Sequence, residues 1–221
     1  MTENPNDFVT QLSCLSDLYI QSREAITLLE NYDPEKKSHL GPHNEIRNAL
    51  DHVMRLFKNY GNKELCEQEY RATKAHLLRA GYDAYELICV FITKYFQSVL
   101  APYRKEDILK AFQGYTRLRL DVIEVQGNSA KLRAEKEKNG LQAEKTFQFY
   151  FEYVEKLIGH MKMLEKHLPS IIELHEEREK DNKIERKRDR NSKARNAVGI
   201  IIAILLAAIG IIATIKYSNN T

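Results

Sequence analysis

The sequence KELCEQEYRATKAHLLRAGYDAYELICVFITKYFQSVL, residues 63–100, predicts one long helix that is rich in large apolar side chains. Ala101-Pro102 ends it, because a residue that precedes proline is disfavoured in helical geometry. Glu86 and Lys94 interrupt its apolar part, so this stretch is too short and too charged to span a membrane. It therefore predicts the central helix of a folded domain. Much of the expected core comes from Leu77, Leu78, Leu87, Ile88, Phe91, Ile92, Tyr95, Phe96 and Leu100.

Helical patterns also dominate the flanking sequence, and no stretch of strict apolar/polar alternation persists. One helix is predicted over about residues 7–32 and another over about residues 42–61, with Pro in its first turn and Gly at its end. A fourth helix begins around Lys105 and extends into a helical arm, and a further apolar run covers residues 141–167. Pro169 is expected to break or kink that run. The predicted fold class is all-α, a helical bundle with long helices.

The C-terminal sequence AVGIIIAILLAAIGIIATI, residues 197–215, contains no charged side chain. Its length matches the hydrocarbon core of a bilayer, so it predicts a single C-terminal transmembrane helix. Residues 183–195 before it hold seven Lys/Arg against two acidic residues, whereas only Lys216 follows it. Because positive flanks stay in the cytoplasm, we expect a single-pass, tail-anchored membrane protein whose N-terminal domain is cytoplasmic.

The expected organisation has three parts: a helical bundle over residues 1–168, a charged helical connector over residues 169–196, and the transmembrane helix over residues 197–217. Small residues recur on one face of the transmembrane segment and let two such helices approach closely, which predicts a homo-oligomer. The residues expected in the membrane, including that face, are Ala197, Gly199, Ala203, Ala207, Gly210, Thr214 and Ile215.

The composition excludes several classes of protein. The formal net charge is only +3, so the chain as a whole is not typical of a nucleic-acid binder. Three cysteines without a Cys-x-x-Cys pair indicate free thiols in a reducing compartment, and the N-terminus lacks the pattern of a signal peptide. There is no Gly-rich phosphate loop, Ser-centred elbow or HExxH, and His160, His167 and His175 lack metal-ligand spacing. No cofactor or metal is predicted.

One motif can carry chemistry: Arg47-Asn48-Ala49-Leu50-Asp51-His52, within HNEIRNALDHVMRLF. A 2′-hydroxyl of RNA can attack the adjacent phosphorus while a His moves the proton and an Arg holds the phosphate, without a metal. Residues five apart on one helix differ by about 140° in azimuth. They share a pocket best near a helix start or where two copies of the helix face each other. Two simpler interpretations are a surface ion pair of Arg47 with Asp51 and an interior imidazole for His52.

The same Arg-to-His spacing occurs a second time, from Arg71 to His76 in YRATKAHLLRAG. With Ala rather than Asn after the Arg, this second occurrence is interpreted as a chance match.

The motif at Arg47 and the helical bundle resemble the HEPN superfamily, small helical proteins found in bacterial toxins and antiviral defence systems. This resemblance implies a metal-independent endoribonuclease in which two subunits build a composite cleft. Carried over to this sequence, Arg47 would bind phosphate, His52 would be the acid/base and Asn48 would orient them. The implied protein is a self-associating, membrane-anchored effector that acts on RNA in defence or in toxin-type growth arrest.

Two other hypotheses remain. The chain is also similar in layout to small membrane accessory proteins of RNA-targeting CRISPR systems, which would make it a non-enzymatic oligomer that perturbs the membrane. Alternatively, it is a membrane-tethered scaffold that binds a protein partner through residues 141–168, where the aromatic run FQFYFEY is interpreted as core or a helix-pairing face.

Overall fold

The structure, a computed structural model, describes residues 5–139 and 143–218, with side chains described for residues 8–132 and 144–202. Over these ranges the chain is helical and contains no strand, which confirms the all-α class. The helices are α1 Pro5–Tyr32, α2 Leu40–Lys58, α3 Lys63–Leu100, α4 Lys105–Ala111, α5 Tyr115–Asn139 and α6 Ala143–Ser218.

Helices α2 and α3 form an antiparallel hairpin. Gly61, at φ +94°, takes the left-handed conformation that the tight connection requires, and no atom lies within 4 Å of where its Cβ would be. The Asn62 side chain then caps α3 by accepting a hydrogen bond from the Leu65 amide at 3.3 Å. The Cys66 thiol reaches back to the carbonyl of Asn59 at 3.2 Å. This short connection fixes which residues of the two helices face each other.

Helix α1 packs against one face of this hairpin. Its Ser22 hydroxyl, fully buried, lies 2.8 Å from the Leu77 carbonyl of α3 and 2.8 Å from the Leu18 carbonyl of its own helix. An apolar cluster holds the three helices together. Its buried members are Phe8, Leu15, Ala49, Leu56, Cys66 and Leu77.

The helix predicted from Lys105 is divided in two. Phe112, which caps α4, is extended (φ −128°, ψ 92°), and its side chain is 1% exposed. Burial of this ring outweighs one more turn of helix, so the chain turns at residues 112–114 before α5 begins. In contrast, α6 passes through Pro169, where a break or kink was expected. The apolar stripe of α6 that is buried in the bundle comprises Phe147, Tyr150, Tyr153, Val154, Leu157 and Leu164.

The chain divides into two compact units, residues 1–169 and 170–221. In the second unit, all side chains from residue 183 to residue 202 are exposed. Among the described residues, no single helix is long and apolar enough to cross a membrane, whereas α3 and α4, bent by 106°, satisfy length and composition as a pair. Of the predicted membrane residues, Ala197 and Gly199 are described and exposed. The side chains of Ala203, Ala207, Gly210, Thr214 and Ile215 lie outside the described residues.

Candidate functional site

Two histidine–glutamate pairs bridge α2 and α3. His52 of α2 places its Nδ1 2.6 Å from Oε2 of Glu69 on α3. His76 of α3 places its Nδ1 2.6 Å from Oε2 of Glu45 on α2. The residue numbers of each pair have the same sum, as expected for positions that face each other in an antiparallel hairpin. The two pairs are therefore related by an approximate two-fold axis within one chain.

The two imidazole rings stack on each other at the centre of this network. Their centroids are 5.2 Å apart and their planes differ by 23°. Both side chains are about one-fifth exposed, at 23% for His52 and 22% for His76, so solvent reaches the pair. Because an ionised carboxylate only accepts hydrogen bonds, each Nδ1 carries its proton toward a glutamate. In the neutral ring, Nε2 then holds a lone pair that is able to accept a proton.

An arginine extends each pair. Nε of Arg55 donates to the same Oε2 of Glu69 at 3.1 Å. Nη1 of Arg79 lies 3.6 Å from Oε1 of Glu45. Each carboxylate therefore joins an arginine to a histidine, and the network has the order Arg55–Glu69–His52, His76–Glu45–Arg79. We refer to these six side chains as the two-histidine site.

The electrostatics of Glu69 follow from this arrangement. The hydrogen bond from His52 holds the pKa of the Glu69 carboxyl below its usual value of 4.5. Partial burial opposes this shift, and the Arg55 guanidinium adds to it. Glu69 is therefore ionised at neutral pH and keeps the orientation of both its partners.

A short internal repeat builds the site. Residues 45–55 are EIRNALDHVMR and residues 69–79 are EYRATKAHLLR, so Glu, Arg, His and Arg recur at the same four positions. In each copy of the repeat, the Glu and the His lie seven residues apart, which is close to two full helical turns, so they share one face of the helix. The second Arg, three residues after the His, lies near the same face. The repeat thus supplies both halves of the two-histidine site.

The structure does not bring Arg47 and His52 together. Arg47 lies on the solvent side of α2, about 140° around the helix from His52, and is exposed. Asn48 lies near the face of His52, one helical turn before it, and is half-buried. Of the predicted catalytic residues, only His52 therefore belongs to the two-histidine site. The other motif arginine, Arg71, is equally far from its histidine and pairs with Glu67 at 2.7 Å.

Sequence reasoning missed five residues of the two-histidine site. His76 was noticed only as part of a chance spacing, and the other four were not singled out: Glu45, Arg55, Glu69 and Arg79. The signal that could have found them is the pattern Glu-x6-His-x2-Arg, present once on each side of the Gly61 turn. Two matching halves that flank a tight turn between helices predict mutual contact, which a single motif does not.

A second polar network joins α5 and α6 within the bundle. His160 Nε2 lies 2.7 Å from Asp121, which also pairs with Arg117 at 3.2 Å. Burial raises the pKa of Asp121, but His160 and Arg117 outweigh burial, and the pKa is lowered. Only one histidine is present here, and the carboxylate is almost fully buried. This arrangement therefore holds two helices together and offers no acid–base pair.

The aromatic run FQFYFEY of α6 places several of its rings inside the bundle. Phe147, Tyr150 and Tyr153 of the aromatic run are buried, so these rings belong to the core, as interpreted from the sequence. A partner surface on residues 141–168 stays a prediction. Within the part of the chain that the structure describes, no group of three or more His, Cys, Asp or Glu side chains has the geometry to hold a metal ion.

Comparisons with protein-family models, with curated proteins and with solved structures find no match to this chain.

Proposed function

We propose that this chain is a membrane-anchored helical protein that cleaves RNA at the two-histidine site, without a metal. One observation carries the proposal: His52 and His76 stack at 5.2 Å, each fixed through Nδ1 by a glutamate. Two oriented imidazoles that present their Nε2 atoms are the groups that a coupled acid–base reaction needs. The resemblance of the Arg47–His52 motif to HEPN proteins supports RNA as the substrate.

The chemistry assigns opposite protonation states to the two rings. The neutral ring accepts the proton of a 2′-hydroxyl at Nε2 while that oxygen forms a bond to phosphorus. The protonated ring donates its Nε2 proton to the departing 5′-oxygen as the phosphorus–oxygen bond breaks. The products are a 2′,3′-cyclic phosphate and a free 5′-hydroxyl. The approximate symmetry of the site does not fix which ring is base and which is acid.

The membrane anchor is part of the same proposal. It is supported by the uncharged sequence 197–215 and by the basic sequence before it. At the start of this segment, Val198, Ile200, Ile201 and Ile202 are each more than half exposed, at 55%, 62%, 56% and 51%. Exposure of neighbouring large apolar side chains to water is unfavourable, and insertion of this segment into a bilayer would remove that exposure. We propose that the bundle faces the cytoplasm.

The test uses full-length protein in detergent micelles, incubated with single-stranded RNA in the presence of EDTA. We expect cleavage that leaves cyclic phosphate ends. His52→Ala and His76→Ala should each lower the rate by about 10²–10⁴-fold, the usual contribution of a general acid or base. His43→Ala, an exposed histidine on the same α2, is the matched control. Cleavage that persists unchanged in His52→Ala and His76→Ala would contradict the proposed site.

A second candidate function is favoured by the exposed apolar residues at the start of the anchor. In it, the protein oligomerises through the small-residue face of residues 199–214 and perturbs the membrane without catalysis. Membrane-potential dyes distinguish the two functions. Depolarisation that survives His52→Ala but not Gly210→Leu supports the second function, whereas RNA cleavage without depolarisation supports the first.

A further inference from the structure

We propose that Arg55 and Arg79, rather than Arg47, bind the substrate phosphate, and that one chain contains the whole phosphodiester site. This inference rests on the proposed function, which it deepens by assigning the anion-binding residues. It departs from the resemblance, which places phosphate binding at Arg47 and builds the cleft from two subunits.

The hydrogen bond that holds Arg55 leaves its terminal nitrogens available for an anion. Its Nε donates to Glu69 at 3.1 Å, so the edge formed by the two terminal nitrogens takes no part in this bond. The side chain is 47% exposed, and its anchor Glu69 is 13% exposed. A guanidinium held through Nε on a mostly buried carboxylate presents a planar fork of donors, the geometry that suits a phosphate.

Arg79 offers the same group at the other end of the site. Its Nη1 approaches Glu45 at 3.6 Å, and 41% of the side chain is exposed. Its Nε is buried and has no hydrogen-bond partner among the described residues. A buried donor without a partner is costly, and an anion bound at this Nε would remove that cost. Both arginines follow their histidine by three residues, so the repeat places them at equivalent positions of the two helices.

The charges of the two-histidine site are balanced for one added anion. Two arginines and two glutamates cancel, and the protonated histidine that the reaction requires leaves one positive charge. A phosphodiester group carries one negative charge and neutralises it. Arg47 and Arg71 lack this arrangement, because both are exposed and lie on the outer faces of their helices. They therefore serve as matched controls of the same charge.

The test measures the anisotropy of a fluorescent 2′-O-methyl RNA oligonucleotide, which cannot be cleaved, with full-length protein in detergent. We expect Arg55→Gln combined with Arg79→Gln to weaken binding about tenfold or more, since each change removes a charge-assisted hydrogen bond. The slope of log affinity against log salt concentration should fall by about 0.7 for each arginine that no longer neutralises a phosphate. Arg47→Gln combined with Arg71→Gln should change neither quantity. Circular dichroism of each variant checks that the bundle remains folded.

Failures of the two proposals are distinguishable. If the protein cleaves RNA and the Arg55/Arg79 variants bind and cleave normally, the anion assignment is wrong and the proposed function stands. If binding depends on Arg55 and Arg79 but RNA stays intact, the anion site stands and the nuclease function is wrong. If Arg47→Gln with Arg71→Gln abolishes binding instead, phosphate binding belongs to the outer arginines.

Discussion

His52 and His76 lie on different helices, yet their rings stack with centroids 5.2 Å apart and planes inclined by 23°. Each ring is held by a glutamate from the other helix, so neither can turn without breaking a hydrogen bond. The hairpin of α2 and α3 thus brings two copies of one short sequence pattern into a single network. This relationship makes the site intramolecular and gives it distinct experimental signatures.

Mixing two inactive variants should not restore activity. If His52 and His76 act within one chain, every molecule of His52→Ala and of His76→Ala lacks one of the pair. Co-expression of the two variants in one membrane should therefore give no more RNA cleavage than either variant alone. A site shared between subunits would instead regain a sizeable part of the native rate. That recovery would show that the catalytic pair forms between chains.

Replacement of Glu69 by Gln should destabilise the bundle. The change removes the negative charge that accepts from both His52 and Arg55, and we expect a loss of about 1 kcal/mol in the free energy of unfolding. Glu67→Gln is the control, because Glu67 makes an exposed pair with Arg71 on the same helix. Urea unfolding followed by circular dichroism measures both. Equal stability of Glu69→Gln and native protein would show that the carboxylate contributes nothing.

The contribution of Glu69 should also depend on pH. Its pKa in the folded protein lies below the ordinary 4.5, so ionised Glu69 favours the folded state at any pH above that ordinary value. The contribution is lost as the pH falls through the lower, folded-state pKa. We therefore expect the stability difference between native protein and Glu69→Gln to shrink in acid. Urea unfolding of both proteins between acid and neutral pH measures this difference in the free energy of unfolding. A difference that grows as the pH falls would contradict the prediction.

Gly81 should not tolerate a side chain. A Cβ at this position of α3 would overlap the Phe147 ring, lying 2.8 Å from Cδ2, and would lie 3.3 Å from the Ser22 hydroxyl. We expect Gly81→Ala to destabilise the bundle by about 1–3 kcal/mol because the ring must move. Gly127→Ala in α5 meets nothing within 4 Å and should stabilise its helix by about 0.5–1 kcal/mol. The midpoint temperature of thermal unfolding should therefore fall for Gly81→Ala and rise for Gly127→Ala. A shift in the same direction for both variants would contradict this packing.

The anchor should fail when its first part is charged. Ile200→Asp with Ile201→Asp leaves only residues 202–215 uncharged, shorter than the stretch of about 17–25 residues that a spanning helix needs. We expect the variant to be extracted from membranes by carbonate, whereas native protein stays in the pellet. Ile184→Asp is the control, because this exposed Ile lies in the charged connector. Native protein that is extracted as readily as the double variant would contradict the anchor.

Part of the two-histidine site was predictable. The motif at residues 47–52 identified His52 but paired it with Arg47, because spacing in a motif does not say which face of a helix each residue occupies. Glu69, His76 and Glu45 became partners only when the Gly61 turn folded α3 back on α2. Contacts across a hairpin depend on its register, and the turn and the apolar packing set that register together.

Local sequence was enough to predict the helical class, the limits of α3 and the uncharged C-terminal segment, because helical periodicity, caps, prolines and charge act over a few neighbouring residues. Local sequence did not predict that the helix after Lys105 is divided in two. The chain turns at residues 112–114 because the Phe112 ring is buried against distant residues. That Arg47 faces solvent and that His52 meets His76 became evident only from the packed helices. Side-chain direction relative to a partner helix is a property of packing, which no local pattern contains.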